Sequence, residues 1–78
     1  MYLNLNSVDK VKMFVNEISK LDANKVSIDL GSDRYIVDAR SILGIFSLDL
    51  SKPVKATIFA ENEKDKEEAV KFLEKYVA

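Results

Sequence analysis

Apolar and polar positions alternate from the first residue, with Met1, Leu3 and Leu5 on one side. A period of two marks a half-buried strand. From Val8 the period lengthens. Val8, Val11, Val15 and Ile18 fall on one stripe with Phe14 and Leu21 beside it, while Lys10, Lys12, Asn16, Glu17 and Lys20 fall outside. That spacing predicts a helix of about three to four turns with one buried face. Asn6 and Ser7 both suit its N-cap, because a short side-chain oxygen can accept from an orphan first-turn amide. Asp9 adds negative charge where the helix dipole favours it. Asp22-Ala23-Asn24 ends the pattern. Val26, Ile28 and Leu30 then alternate with Lys25, Ser27 and Asp29, which predicts a second strand. Gly31-Ser32-Asp33-Arg34 has turn chemistry, with Gly31 free to take a positive φ. Tyr35-Ile36-Val37 is aromatic and β-branched, so the two runs read as an antiparallel hairpin.

After the connector Asp38-Ala39-Arg40, the stretch Ser41–Leu48 reads as a short second helix. Ile45 and Leu48 can point inward together, and Ile42 lies at the outer end of the same stripe. Leu43 and Phe46 project from a neighbouring face. This helix has more apolar residues than one face can bury, and a small chain has little such surface to leave in water unless it meets something. Asp49–Pro53 is a loop. Val54, Ala56, Ile58 and Ala60 alternate as a fourth strand whose small inward residues let a helix pack close. Asn62 can cap the last helix, with Asp65 completing a capping-box variant. Ala69, Val70, Leu73, Tyr76 and Val77 form its buried face, with Phe72 at the margin. Lys64–Glu68 and Glu67–Lys71 are spaced for exposed ion pairs of about 0.3–0.5 kcal/mol each. The run Glu61–Glu68 is a solvated face. The order βαββαβα predicts an α+β fold, one four-stranded antiparallel sheet with three helices on one face. A ferredoxin-like split βαβ arrangement with an added helix is its generic form.

Composition narrows the chemistry. At 78 residues, one domain spanning 1–78 is expected, burying roughly 60–65% of its unfolded surface. Twelve basic and 13 acidic side chains give a net charge of −1, without the basic surplus of a nucleic-acid binder. No apolar run reaches the roughly 18–20 residues of a membrane span, and the start has no signal-peptide pattern. There is no cysteine and no histidine, which removes thiolate metal sites, the commonest metal ligand and the commonest general base. No nucleophile–base pair or glycine-rich phosphate loop is present. The expectation is a cytoplasmic, monomeric protein that is not an enzyme and carries no metal or cofactor.

The run Ser41-Ile42-Leu43-Gly44-Ile45-Phe46-Ser47-Leu48 resembles the regulatory-serine segment of HPr. HPr is the small phosphocarrier of the bacterial phosphoenolpyruvate-dependent sugar phosphotransferase system. Phe14-Val15-Asn16-Glu17 resembles the first HPr helix, Val54-Lys55-Ala56-Thr57-Ile58 the fourth strand, and Glu67-Glu68-Ala69-Val70-Lys71-Phe72-Leu73 the last helix. The resemblance covers nearly the whole chain and implies the HPr-like open-faced β-sandwich. It also implies a phosphorylated histidine in a His-x-Arg-Pro motif at the first helix start. Counting back from Phe14 without gaps puts Ser7 at the histidine position, Asp9 at the arginine and Lys10 at the proline, with a shortened loop before them. A phosphoryl group there would gain from the helix N-terminus but face the like charge of Asp9. A serine phosphoester would not pass its phosphoryl on at useful rates. Ser7 is therefore expected to be an ordinary N-cap.

Ser41 corresponds to the serine that a dedicated kinase modifies in the family, and Arg40 adjoins it. A phosphate would be tolerated at a helix N-terminus; a plain capping role fits as well. The resemblance further implies that the second helix and the start of the first meet partner proteins, which makes Arg40, Ile42, Leu43, Phe46 and Ser47 the candidate contact residues. Packing of Leu43 and Phe46 on the loop near Leu50 and Pro53 is the competing expectation. Three functions stay open. They are a protein-binding regulatory module related to the phosphotransferase system, a phosphoprotein modified at Ser41, and an assembly module with a dimeric sheet edge.

Overall fold

A computed structural model describes residues Met1–Ala78. The elements are β1 (Tyr2–Leu3), α1 (Val8–Ile18), β2 (Val26–Ser32), β3 (Tyr35–Asp38), α2 (Ile42–Phe46), β4 (Val54–Ala60) and α3 (Glu63–Glu74). All strand pairs are antiparallel, in the order β1-β4-β2-β3. β4 fills the gap between β1 and β2, so these two run parallel with an antiparallel strand between them. That is the split βαβ arrangement, with α3 added.

Alternation decides which side of the sheet is covered. Leu3, Val26, Ile28, Leu30, Val54 and Ala56 are buried toward the helices. Tyr2, Lys55, Gly31 and Ile36 form one cross-strand row on the opposite face, by register. There Tyr2, Ile36 and Phe59 are well exposed. The sheet therefore has one covered and one open face, as its period-two patterning requires. The core joins these strand residues to Val11, Phe14 and Ile18 of α1, Ile45 of α2, and Ala69 and Leu73 of α3.

Several expectations are corrected. The buried stripe of α1 is Val11, Phe14 and Ile18, continued by Leu21, whereas Val8 is exposed and Val15 only half-buried. Both stripes have the same 3-4-3 spacing. The large Phe14 ring decides between them by packing edge-to-face on Tyr76, centroids 5.3 Å apart, a favoured aromatic geometry. On the C-terminal side, Ala69, Leu73 and Tyr76 are buried, Val70 and Phe72 are half-buried, and Val77 is exposed. Met1 is also exposed, although its carbonyl accepts from the Ala56 amide at 2.8 Å.

Gly31 is an ordinary strand residue, paired with Ile36 and Lys55. The positive φ of the hairpin belongs to Asp33, at 53°, a short polar residue that tolerates the left-handed region. The Lys64–Glu68 and Glu67–Lys71 ion pairs do not form. The ion pair present joins Lys75 to Glu17 at 3.2 Å, tying the end of the chain to α1. The α3 cap is as expected at its core: Asn62 Oδ1 accepts the Asp65 amide at 2.9 Å. The return bond runs from Asn62 Nδ2 to Asp65 Oδ2 at 2.8 Å, in place of the usual main-chain one.

Candidate functional site

α2 is built by its two neighbours in sequence. Asp38 Oδ1 accepts the Arg40 amide at 2.8 Å and its carbonyl accepts the Ser41 amide at 3.0 Å. These bonds turn the chain out of β3. Ser41 is then the N-cap, its Oγ accepting the Gly44 amide at 3.1 Å. Ile45 is fully buried and Leu48 nearly so. Leu43 is 81% exposed, Phe46 42% and Ile42 36%. The expected division of faces is therefore present, with an apolar patch in water on the outer side of a five-residue helix. Leu50 packs on the core while Leu43 stays open, so the competing expectation that Leu43 and Phe46 both pack on the loop does not hold for Leu43; Phe46 is more than half covered.

The other candidates differ in how free they are. Arg40 is half-buried, and its Nη2 donates to the Leu21 carbonyl at 3.3 Å. It braces α2 against the chain that follows α1. The Ser47 hydroxyl donates back to the Gly44 carbonyl at the C-cap. Ser7 caps α1 in the manner expected, with its Oγ accepting the Lys10 amide at 3.1 Å. Asp9 lies in that first turn. α1 and α2 pack against each other, and the exposed Val8 adds apolar surface at the α1 start.

Gly44 was missed as a determinant of this site. A Cβ built there would lie 3.0 Å from Ser41 Oγ and 3.1 Å from Val37 Cβ. Glycine thus lets the cap bond and the close approach of α2 to β3 coexist without either neighbour shifting. Ala39 was missed too: it is fully buried, and its amide donates to the Ile28 carbonyl at 2.9 Å. The Val37–Ala39 alternation was the available signal. Beyond α2, the Ser51 hydroxyl and amide both donate to Asp49 and hold its carboxyl below its ordinary pKa. The largest concavity, about 500 Å³, lies on the open sheet face among Tyr2, Gly31, Ile36, Lys55 and Phe59. None of the candidate residues lines it.

A family model described as "PTS HPr component phosphorylation site" matches residues 9–78. The chain belongs to the HPr family. Its relation to the phosphotransferase system follows, as does the α+β fold with one antiparallel sheet and three helices. HPr-family proteins are phosphocarriers that interact with other proteins of that system. In this HPr-family chain the match opens at Asp9, after Ser7, and its 78 residues contain no histidine. No curated protein and no solved structure matches the chain significantly. No helix is long and apolar enough to cross a membrane.

Proposed function

We propose that this HPr-family chain is a cytoplasmic, protein-binding regulatory module of a bacterial phosphotransferase system, acting through α2 and the adjoining start of α1. It does not carry phosphoryl groups and is not an enzyme. The observation that carries the reading is the open apolar patch of Ile42, Leu43 and Phe46 on a helix whose other face is held by Ile45, with Leu48 buried just past its C-cap. Exposed large apolar side chains on a rigid support are the anchors of protein interfaces. The phosphocarrier position offers no counterpart, since Ser7 is engaged as a cap beside Asp9.

Two experiments test this. Incubation with phosphoenolpyruvate and the first general kinase of the system should leave the protein unlabelled; phosphoryl uptake at any residue defeats the claim. Paired Leu43→Ser and Phe46→Ser substitutions should abolish capture of phosphotransferase-system or regulatory proteins while the fold is kept. An unchanged pull-down counts against the patch.

A second reading makes the protein a regulatory phosphoprotein modified at Ser41. It is favoured by the exposure of Ser41, whose hydroxyl serves only the Gly44 amide. Mass spectrometry after treatment with an HPr serine kinase decides it, through the presence or absence of a phosphate on Ser41.

A further inference from the structure

The two edges of the sheet are treated differently. Outside β1, the C-terminal residues close the edge: the Asn4 amide donates to the Tyr76 carbonyl at 2.7 Å and the Ala78 amide to the Tyr2 carbonyl at 3.0 Å. Leu3 and Val77 form an antiparallel bridge there. β3, at the other edge, pairs with no strand beyond it, and the turn into α2 reaches its outer groups at the Asp38 carbonyl, which accepts the Ser41 amide. β3 carries no proline or lysine of the kind that guards an edge, and Tyr35 and Ile36 are 69% and 74% exposed.

The free main-chain groups of β3 can be assigned. Ala39 donates to Ile28, so by register the odd-numbered residues Tyr35, Val37 and Ala39 face β2. The amides of Ile36 and Asp38 and the carbonyl of Ile36 point away from the sheet. The Tyr35 amide faces β2, so the carbonyl of the same planar peptide, that of Arg34, points outward. The Asp38 carbonyl is already taken by the Ser41 amide.

We propose that β3 is a homodimerisation edge, on which a second copy of this chain pairs antiparallel with its two-fold axis at Ile36. In this register Ile36 exchanges both main-chain bonds with its symmetry mate. Each Asp38 amide donates to the Arg34 carbonyl of the other copy, so the occupied Asp38 carbonyl is not needed. Side-chain chemistry selects the same register. On the open face, Ile36 meets Ile36 and is flanked by two Arg34–Asp38 pairs of opposite charge, in which Asp38 offers Oδ2 while its Oδ1 keeps the Arg40 amide. On the helix face, Tyr35 stands across from Val37, an aromatic–β-branched pair of the favoured kind. An axis at Val37 would set Ile36 against Asp38 and Arg34 against Arg40, and would need the occupied carbonyl. An axis at Tyr35 leaves Asp38 opposite Ser32. Registers that pair odd with even residues place main-chain groups out of phase.

The edge is short and its area falls below the roughly 1,200 Å² of a standard interface, so the dimer is weak and reversible. Sedimentation equilibrium of the full chain up to millimolar concentration should show monomer–dimer exchange. Ile36→Lys, at a position already in solvent, should abolish the dimer with an unchanged thermal melt. Arg34→Asp alone should weaken association about tenfold, and adding Asp38→Arg should restore it. Should Asp38→Arg disturb the turn into α2, amide hydrogen exchange of the unmodified protein gives an independent reading. Ile36 and Asp38 amides should slow with rising concentration, while Val37 stays protected throughout. A monomer at every concentration overturns the proposal, as does a dimer that survives Ile36→Lys. Protection of the edge by an added extended peptide, with the chain itself monomeric, would assign the edge to a different partner and overturn it equally.

Discussion

Ser7 and Ser41 open two helices with the same hydrogen bond. Each Oγ accepts the amide three residues on, at 3.1 Å in both cases, and each serine is exposed. Their surroundings differ. Behind Ser7 runs an eleven-residue helix whose apolar stripe is largely buried, and Asp9 puts negative charge in its first turn. Behind Ser41 runs a five-residue helix with no acidic residue in its first turn and three apolar side chains left in water. A cap bond is local, because it needs only a short polar side chain before a helix start. It therefore says little about chemistry. The two starts differ in the charge beside the cap and in the surface the rest of each helix presents.

The two faces of α2 should respond very differently to substitution. Ile45→Ala should cost about 2–5 kcal/mol of stability, the range for emptying a filled core site. Leu43→Ser should stay within about 0.5 kcal/mol. Urea denaturation measures both, and similar losses would mean that the outer face is structural after all. Gly44→Ala comes next. Helix propensity alone would favour alanine by up to about 1 kcal/mol, but the new methyl meets Val37 Cβ at 3.1 Å, an atom the strand holds in place. Net destabilisation of about 1–2 kcal/mol is expected, and a gain in melting temperature would show that α2 can move off β3.

Ser7→Ala and Ser41→Ala should each cost about 1 kcal/mol, equal within error. If stability responds equally while partner capture responds only to Ser41→Ala, the two starts share a cap and differ in role.

The smallest effect concerns the seal on the α1 side. The Tyr76 hydroxyl is buried without a hydrogen-bond partner. Burial first, then the negative charge of nearby Glu17, raises its pKa. A group whose folded pKa is raised keeps its stabilising contribution below its unfolded pKa, about 10 for tyrosine. That contribution is lost as pH rises through the folded value. Tyr76→Phe should therefore equal or slightly exceed the parent in stability at neutral pH and lose less above about pH 10. Parallel alkaline loss in both would place the sensitivity elsewhere.

Most of this architecture was legible because each element carries one clear period. Val26, Ile28 and Leu30 could only be a one-sided strand, and all three are buried. Ile45 and Leu48 against Leu43 was readable for the same reason, since three residues make nearly one helical turn. The misreadings fell where two patterns of equal quality overlapped, or where a residue's role depends on a neighbour distant in sequence. Val8–Val11–Val15–Ile18 and Val11–Phe14–Ile18–Leu21 cannot be told apart by spacing. The bond from Arg40 to the Leu21 carbonyl is of the second kind, since nothing local shows that Leu21 is within its reach.

Residue pattern alone is enough for the order of elements, the one-sided sheet, the serine caps and the apolar excess on α2. These depend on residue type and short-range periodicity, which are local properties of the chain. The folded packing chose which α1 stripe is buried, by setting Phe14 against Tyr76. It likewise set a tight fit at Gly44, because Val37 stands against it, and placed the C-terminal residues outside β1 while β3 pairs with no strand beyond it. Each of these choices is made by contact between segments far apart in the chain, and no local pattern records the distance between them.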